Sequence, residues 1–301
     1  MIISNKAASE KRKDFRKALS NNRLLCFPGA FAPLIALLVE QNDFDGIYVS
    51  GAAISNEMGL PDVGLTNQDE VSRRAHQISR VVDLPTIVDA DTGFGEPMNT
   101  ARTISILEEL GLTGCHIEDQ LNPKRCGHLD HKILIEREDM CRKIRAASDA
   151  KTDSNFTLIA RTDARGPEGL TMAIERAKAY VDSGADMIFP EALESESEYE
   201  EFRSSVNVPL LANMTEFGKT PLLNVVELEA LGLNLVIYPM SLMRLALQSV
   251  ESGLKKLKKD GSQQELTSEM FSRSRLYEVL RYENYNRFDQ KVHNFMLPDE
   301  N

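Results

Sequence analysis

The chain has no tryptophan, and its four cysteines, Cys26, Cys115, Cys126 and Cys141, form no Cys-x-x-Cys pair. Neither a disulfide framework nor a dithiol redox motif is therefore indicated, and a reducing, cytoplasmic setting is expected. No apolar run approaches the roughly 18 residues that a membrane span needs. The segment from Met1 to Lys17 is polar and charged, without the apolar h-region of a secretory signal. Basic charge is also scarce: 35 Lys and Arg stand against 46 Asp and Glu, a formal net charge of −11. That balance excludes nucleic acid or an anionic membrane as partner, since both demand a net basic face. An anionic small molecule would have to be met by cations gathered locally. Gly93-Phe94-Gly95 lacks the Lys-Ser/Thr of a phosphate loop and the full dinucleotide fingerprint.

What the chain does have is regular alternation. Eight short apolar runs, at 24–28, 46–50, 85–90, 114–118, 156–162, 187–191, 209–213 and 233–239, are separated by amphipathic stretches. Continuous apolar runs without polar alternation are what a parallel sheet covered on both faces requires. Helical stretches at 99–110, 170–183 and 222–231 carry apolar residues near a 3.6 spacing, with Gly111, Gly184 and Gly232 close behind as stops. Eight βα units predict an α/β fold, a (β/α)8 TIM-type barrel, with a doubly wound sheet as the other arrangement. The 301 residues are read as a single barrel domain, a length such barrels reach with one large core.

Polar residues gather where each run ends: Ser50, Asp89 and Asp91, Glu118, Arg161 and Asp163, Glu191, Asn213 and Thr215, then Ser241 and Arg244. At the C-terminal ends of barrel strands these side chains would converge on one mouth. Outside the barrel, 5–19 reads as a charged helix ahead of the first strand. The tail reads as two long helices, 241–259 and 266–287, the second carrying Phe271, Leu276, Tyr277, Leu280, Tyr282, Tyr285 and Phe288 near its length. That aromatic surface in the C-terminal extension, 260–301, calls for burial against a partner subunit.

The chemistry concentrates in Asn122-Pro123-Lys124-Arg125-Cys126-Gly127-His128. A thiol among Lys, Arg and His is expected to have a lowered pKa. Read instead as zinc ligands, Cys126, His128 and His131 lack a fourth member and match no structural zinc spacing. Asp89 and Asp91, two apart at a strand end beside Gly93 and Gly95, offer hard oxygens with room for water, which suits Mg2+. Glu118 and Asp62 are candidates for the surrounding shell. His76 and His293 read as surface residues on helices, and Asp163 equally as the partner that orients Arg161.

Lys124-Arg125-Cys126-Gly127-His128, Tyr48-Val49-Ser50-Gly51, Val88-Asp89-Ala90-Asp91, His116-Ile117-Glu118-Asp119-Gln120, Ala160-Arg161-Thr162-Asp163 and Asn213-Met214-Thr215-Glu216-Phe217-Gly218 resemble motifs of the isocitrate lyase/phosphoenolpyruvate mutase superfamily. The likeness runs from about Phe15 to Tyr285, and the Lys-Arg-Cys-Gly-His motif points to the lyase branch, within it to enzymes that cleave 2-methylisocitrate. The resemblance implies Mg2+-dependent cleavage of (2S,3R)-2-methylisocitrate to pyruvate and succinate, a step of the methylcitrate cycle of propionate catabolism. It implies a metal site at Asp89 and Asp91 with Asp62 and Glu118 outside it. Substrate contacts are implied at Ser50, Gly51, Ala52, Cys126, Gly127, Arg161, Glu191, Asn213, Thr215, Arg244 and Arg273. Ala52-Ala53 departs from the glycine common in the family after Ser-Gly. A homotetramer, a dimer of dimers with C-terminal helices exchanged between subunits, is also implied.

The chemistry of such a cleavage assigns further roles. The substrate hydroxyl must lose its proton, and Tyr48 is the expected base, its phenol deprotonated beside Arg161. The departing carbanion takes a proton from Cys126, with His128 and Lys124 tuning the thiol. Arg244 and Arg273 would clamp distal carboxylates. Phe189 and Ile237 stand where isocitrate lyases carry larger and more polar residues, leaving room for a methyl group. Residues 119–132 are expected to form a mobile lid that carries the acid, shields the carbanion from water and stands open or disordered without ligand. Isocitrate and 2,3-dimethylmalate are the competing substrates, and a metabolite-binding barrel that senses redox state through Cys126 is the non-catalytic alternative.

Overall fold

The computed structural model describes residues 4–21 and 23–295; the last six residues of the predicted extension, 296–301, lie outside them. The eight apolar runs all become strands: β1 Leu25–Pro28, β2 Ile47–Val49, β3 Thr86–Asp89, β4 Gly114–Glu118, β5 Thr157–Thr162, β6 Met187–Pro190, β7 Leu211–Asn213 and β8 Leu235–Tyr238. Every pairing is parallel, β2 to β6 in sequence order and β7–β8–β1 beside them. Two parallel bridges, Gly29 with Tyr48 and Ile188 with Leu210, join the two groups. The sheet therefore closes on itself, which rules out the doubly wound arrangement.

Side-chain alternation along each strand divides the core in two. Leu25, Phe27, Tyr48, Ile87, Ile159, Met187, Phe189, Leu211, Leu235 and Ile237 pack together inside the barrel. Their neighbours Val49, Val88, Ile117, Leu158, Ala160, Ile188, Ala212 and Val236 face outward under the ring of helices. Both faces are thus apolar, as the unbroken hydrophobic runs predicted. Helix Pro97–Glu109 ends at Gly111, where Gly111 N–H donates to the Glu108 carbonyl and Leu112 N–H to Leu107 in a Schellman closure.

Helix Ala8–Leu19 inserts Phe15 and Leu19 into the same interior cluster. The Phe15 ring lies 5.5 Å from that of Phe27. Arg12, nearly buried, donates to the Leu112 carbonyl at 2.9 Å, and Arg16 reaches Asp186 at 2.8 Å. The helix is thereby fastened to loops of the barrel.

The tail departs from the expected pair of long helices. Helix Ser241–Asp260 forms as predicted, but 266–287 breaks into a 3-10 turn Gln264–Glu269 and helices Arg273–Val279 and Tyr282–His293. Ser272 caps the first helix by accepting from Arg275 N–H, and Arg281 adopts φ +52° before the second. Val279 is buried, while Arg275 and Arg281 reach Gln41 and Glu40 of helix Pro33–Gln41. Docking on that helix folds the segment back and sets the break. Phe271, Tyr277, Tyr282, Tyr285 and Phe288 stay exposed, with Tyr277 and Tyr282 stacked at 4.7 Å.

Truncating Phe15→Ala should leave a cavity between the helix and the barrel floor. The expected loss is about 3–5 kcal/mol, read as a lower denaturation midpoint with unchanged m-value. A loss under about 1 kcal/mol would mean that the helix does not seal the barrel.

Candidate active site

The strand ends converge as a parallel barrel requires. A cavity of about 210 Å³ is lined by Tyr48, Ser50, Ala52, Asp62, Asp89, Lys124, Cys126, Gly127, His128, Arg161, Glu191, Asn213, Thr215 and Arg244, together with Asn56, Arg125, Pro239 and Met240. A larger apolar groove of about 750 Å³ runs along helix Ser241–Asp260, with Leu245, Val250 and Leu254 in its wall. The smaller cavity, not the larger, holds the titratable groups. Arg244 borders both.

Asp89 and Asp91 are nearly buried at the end of β3. Asp89 accepts from the backbone N–H of Asp91 at 3.0 Å and of Gly51 at 3.3 Å. Burial opposes its ionisation, yet His116, Lys124 and Arg161 hold its carboxyl below the ordinary range. Asp91 behaves oppositely: burial, resisted by Lys124 but reinforced by Asp89, pushes it up to about 6. A Cβ on Gly51 would lie 2.9 Å from Asp89 Oδ2 and 3.4 Å from Asp91 Oδ1, so glycine keeps this space open. Both oxygens of buried Glu118 lack a hydrogen-bond partner, and burial raises its carboxyl well above the usual range. Two carboxylates around an open pocket, with a third acid behind, fit a divalent ion that retains most of its water. No three His, Cys, Asp or Glu side chains cluster as a full metal cage among the described residues.

Arg161 is buried amid carboxylates. Its Nε and Nη2 donate to the two oxygens of Asp163 at 2.9 and 3.1 Å. Glu118 and Glu191 lie 3.3 and 3.5 Å away, and Phe189 lies beneath at 5.1 Å from the guanidinium carbon. Asp163 is thus the orienting partner, although it does not line the cavity. Asn213 Nδ2 reaches Glu191 at 3.3 Å. Ser50 caps helix Gly51–Glu57 by accepting from Ala53 N–H. Arg244 donates to the Glu216 carbonyl at 2.7 Å and lies over the exposed Phe217 ring.

Residues 119–132 are not open or disordered as expected but pack over the cavity, because Gly127 seats against Glu191 and Arg161. Their ends are tied by Leu121 N–H to the Ile133 carbonyl and Ile135 N–H to the Asp119 carbonyl. Gly127 packs so closely that a Cβ would lie 2.2 Å from Glu191 Oε1 and 2.5 Å from Arg161 Nη2. His128 Nδ1 accepts from Lys219 N–H at 3.0 Å, which places the ring proton on Nε2, 3.4 Å from Glu191. Burial lowers the His128 pKa, so the ring is neutral at pH 7.

Several expectations need correction. The Cys126 thiol pKa is raised, not lowered, although the residue as a whole is exposed: desolvation of the sulfur leads, Glu191 and Asp62 add to it, and the backbone bond from His128 and the charge of Arg161 do not offset them. Lys124 does not tune the thiol, because its ammonium is committed to Asp62 at 2.5 Å and Asp91 at 2.7 Å. Tyr48 is not a phenolate beside Arg161; burial and then Asp89 push its pKa well up, and its hydroxyl pairs with His116 Nε2 at 2.7 Å. Arg273 begins an exposed helix and does not reach the cavity of its own chain. Phe189 and Ile237 also lie below the cavity, in the barrel interior; its apolar wall is Ala52, Pro239 and Met240. His76 is half-buried, its Nδ1–H 2.8 Å from the Leu110 carbonyl.

Sequence reasoning missed His116, which is fully buried, with burial pushing its pKa down to about 4. It sits in the quoted His-Ile-Glu-Asp motif, where period two turns it inward beside Glu118, and that was the available signal. Lys132 was also missed, and nothing in its sequence neighbourhood marks it.

The sequence profile of the phosphoenolpyruvate phosphomutase family matches residues 15–258. The chain is 54% identical over 95% of its length to a probable 2-methylisocitrate lyase 2 of Corynebacterium glutamicum, covering 93% of that protein. It is 43% identical over 99% of its length, and 99% of the relative's, to a 2-methylisocitrate lyase of Bacillus subtilis. The chain belongs to the phosphoenolpyruvate mutase/isocitrate lyase superfamily. The fold agrees: 2,3-dimethylmalate lyase, a superfamily member, matches with a TM-score of 0.88 at 31% identity, covering 95% and 96% of the two chains. Phosphonopyruvate hydrolase in complex with oxalate and Mg2+ matches at 0.85 and 29%, covering 93% and 98%. Strong relatives of this superfamily chain are thus named as carbon–carbon lyases.

Because Gly127 leaves no room for a side chain in the closed lid, Gly127→Ala should hold the lid away from Glu191 and Arg161. Cys126 alkylation by iodoacetamide is then expected to quicken several-fold. An unchanged rate at a fully folded G127A enzyme would contradict the close packing described.

Proposed function

We propose that the protein is a Mg2+-dependent carbon–carbon lyase that cleaves (2S,3R)-2-methylisocitrate to pyruvate and succinate, in the methylcitrate route of propionate catabolism. The observation that carries this reading is the placement of the Cys126 thiol and Asp89 on one small cavity rich in Arg, Asn and carboxylate groups, with Asp91 next to Asp89 beside the space that Gly51 leaves open. The names of the relatives support the substrate. Asp89 and Asp91 would hold the ion, with Asp62 and Glu118 behind them; that phosphonopyruvate hydrolase, a structural relative, forms a complex with Mg2+ supports the choice of ion. Bound there, Mg2+ supplies a Lewis acid that acidifies a substrate hydroxyl and anchors its neighbouring carboxylate.

The remaining chemistry falls to side chains. Tyr48 receives the hydroxyl proton while passing its own to neutral His116, 2.7 Å away; the carbonyl forms and the carbon–carbon bonding pair moves to the departing carbon. Cys126 then gives its proton to that carbanion, releasing succinate and leaving a thiolate; His116 releases its extra proton to solvent and the thiolate takes one back before the next turn. A raised thiol pKa suits this donor, because the proton is in place at pH 7. It disfavours redox sensing, which needs a thiolate. Arg161, Asn213, Thr215, His128 and the Ser50-Gly51-Ala52 turn bind and orient the carboxylates, Glu191 orients Arg161, Asn213 and His128, and Arg244 holds the distal carboxylate. The methyl group meets Ala52, Pro239 and Met240, a contact that discriminates by only about 1–3 kcal/mol, so isocitrate and 2,3-dimethylmalate remain rival substrates.

Leu245, Val250 and Leu254 along the groove, and the aromatic tail, are exposed. They support burial against other copies of the chain, as a homotetramer with exchanged C-terminal helices, and Arg273 would then act only if a partner's mouth receives it. No described helix is long and apolar enough to cross a membrane; a cytoplasmic location is part of this proposal.

Side-by-side assays of 2-methylisocitrate, isocitrate and 2,3-dimethylmalate with Mg2+ should show the first cleaved fastest. Cys126→Ser should lower kcat about 10²–10⁴-fold with substrate binding retained; full activity would remove Cys126 from the reaction. Protons compete with the ion for Asp91, whose pKa lies at about 6. Mn2+ affinity, followed by electron paramagnetic resonance, should therefore weaken as pH falls below about 6. A flat profile from pH 5 to 8 would speak against Asp91 as a ligand.

A further inference from the structure

We infer that Lys132 is a positioning residue that couples closure of the lid to the orientation of Arg161. Its ammonium, 3% exposed at the side chain, bridges two acceptors: the Gly127 carbonyl on the lid, and Asp163 Oδ1 at 3.0 Å on the barrel. The same Asp163 Oδ1 accepts from Arg161 Nη2, while Oδ2 accepts from Nε. One fully buried carboxylate is thus shared between the cation that clasps the lid and the cation that binds substrate.

The energetics make this arrangement two-state. A buried ammonium tolerates the loss of an acceptor poorly, and a buried carboxylate likewise depends on its cations. Lys132 stands at the tied end of the lid, beside the Leu121–Ile133 bond, so lifting residues 122–131 withdraws the Gly127 carbonyl from its ammonium and the Gly127 backbone from Glu191 and Arg161 at once. Closing it restores all of these contacts, and Gly127 fits only against an Arg161 already held by Asp163. Lys132 therefore acts on the residue beside Cys126 and, through Asp163, on Arg161, yet it does not line the reaction cavity.

The consequence for turnover rests on the lyase reading above; the coupling of lid to latch does not. Lys132→Met, Lys132→Gln and Lys132→Arg would be compared with the wild type in the full-length enzyme. Three readouts serve: hydrogen exchange of peptides spanning 119–132, peptide-resolved alkylation of Cys126, and kcat with KM for 2-methylisocitrate. In K132M and K132Q, lid exchange and Cys126 alkylation should rise about 10-fold, while barrel helices exchange as in the wild type. The kcat should fall more than KM rises, and K132R should recover part of each effect. If K132M does not fold, K132Q carries the same test. Lid exchange and alkylation equal to the wild type, or an increase spread evenly over the barrel, would overturn the inference. Should the wild type fail to cleave 2-methylisocitrate, the lyase reading falls while the exchange data still judge the latch.

Discussion

A guanidinium withdrawn from water must be neutralised by its neighbours, and the mouth of this barrel is organised around that requirement at Arg161. Asp163 binds it through both oxygens, Glu118 and Glu191 approach its remaining faces, and Phe189 carries it from below. Each partner stands at a strand end or immediately beyond one. These residues come from the adjacent parallel strands β4, β5 and β6, whose register sets their ends side by side. The positive charge of the cavity is thus local, set in a chain whose net charge is −11.

The lid takes its position from the same cluster. Gly127 rests on Glu191 and Arg161 without space for a side chain, and Lys132 ties its carbonyl to Asp163. Cys126, one residue earlier, is thereby directed to the cavity. Its neighbouring cations turn elsewhere: Lys124 serves Asp62 and Asp91, and His128 faces Glu191 as a neutral ring. The thiol keeps its proton because the carboxylates and partial burial outweigh Arg161. For a proton donor that balance is an advantage, and for a nucleophile it would be a defect.

Much of the fold was legible because it rests on local pattern. Apolar runs without alternation foretold strands buried on both faces, and their eight positions hold within a few residues. The break at Ser272 and Arg281 was not legible, since it follows from docking on helix Pro33–Gln41 rather than from any proline or glycine in the run. Site membership was readable from polar residues at strand ends, together with the motifs shared with the superfamily. Charge state was not: cations adjacent in sequence to Cys126 are directed away from it in space, and burial reverses the expected shift. Tyr48 illustrates the same limit, because its partner His116 is a strand away and inward-facing. Arg273 was assigned by likeness alone, and the chain's own fold leaves it outside the cavity.

The most direct test is a crystal structure of the enzyme with Mn2+, pyruvate and succinate, with the ion located by its anomalous signal. The account predicts an ion against Asp89 and Asp91, and the Cys126 sulfur directed at a methylene carbon of succinate. An ion bound elsewhere, or a sulfur turned to solvent over an occupied cavity, would contradict it.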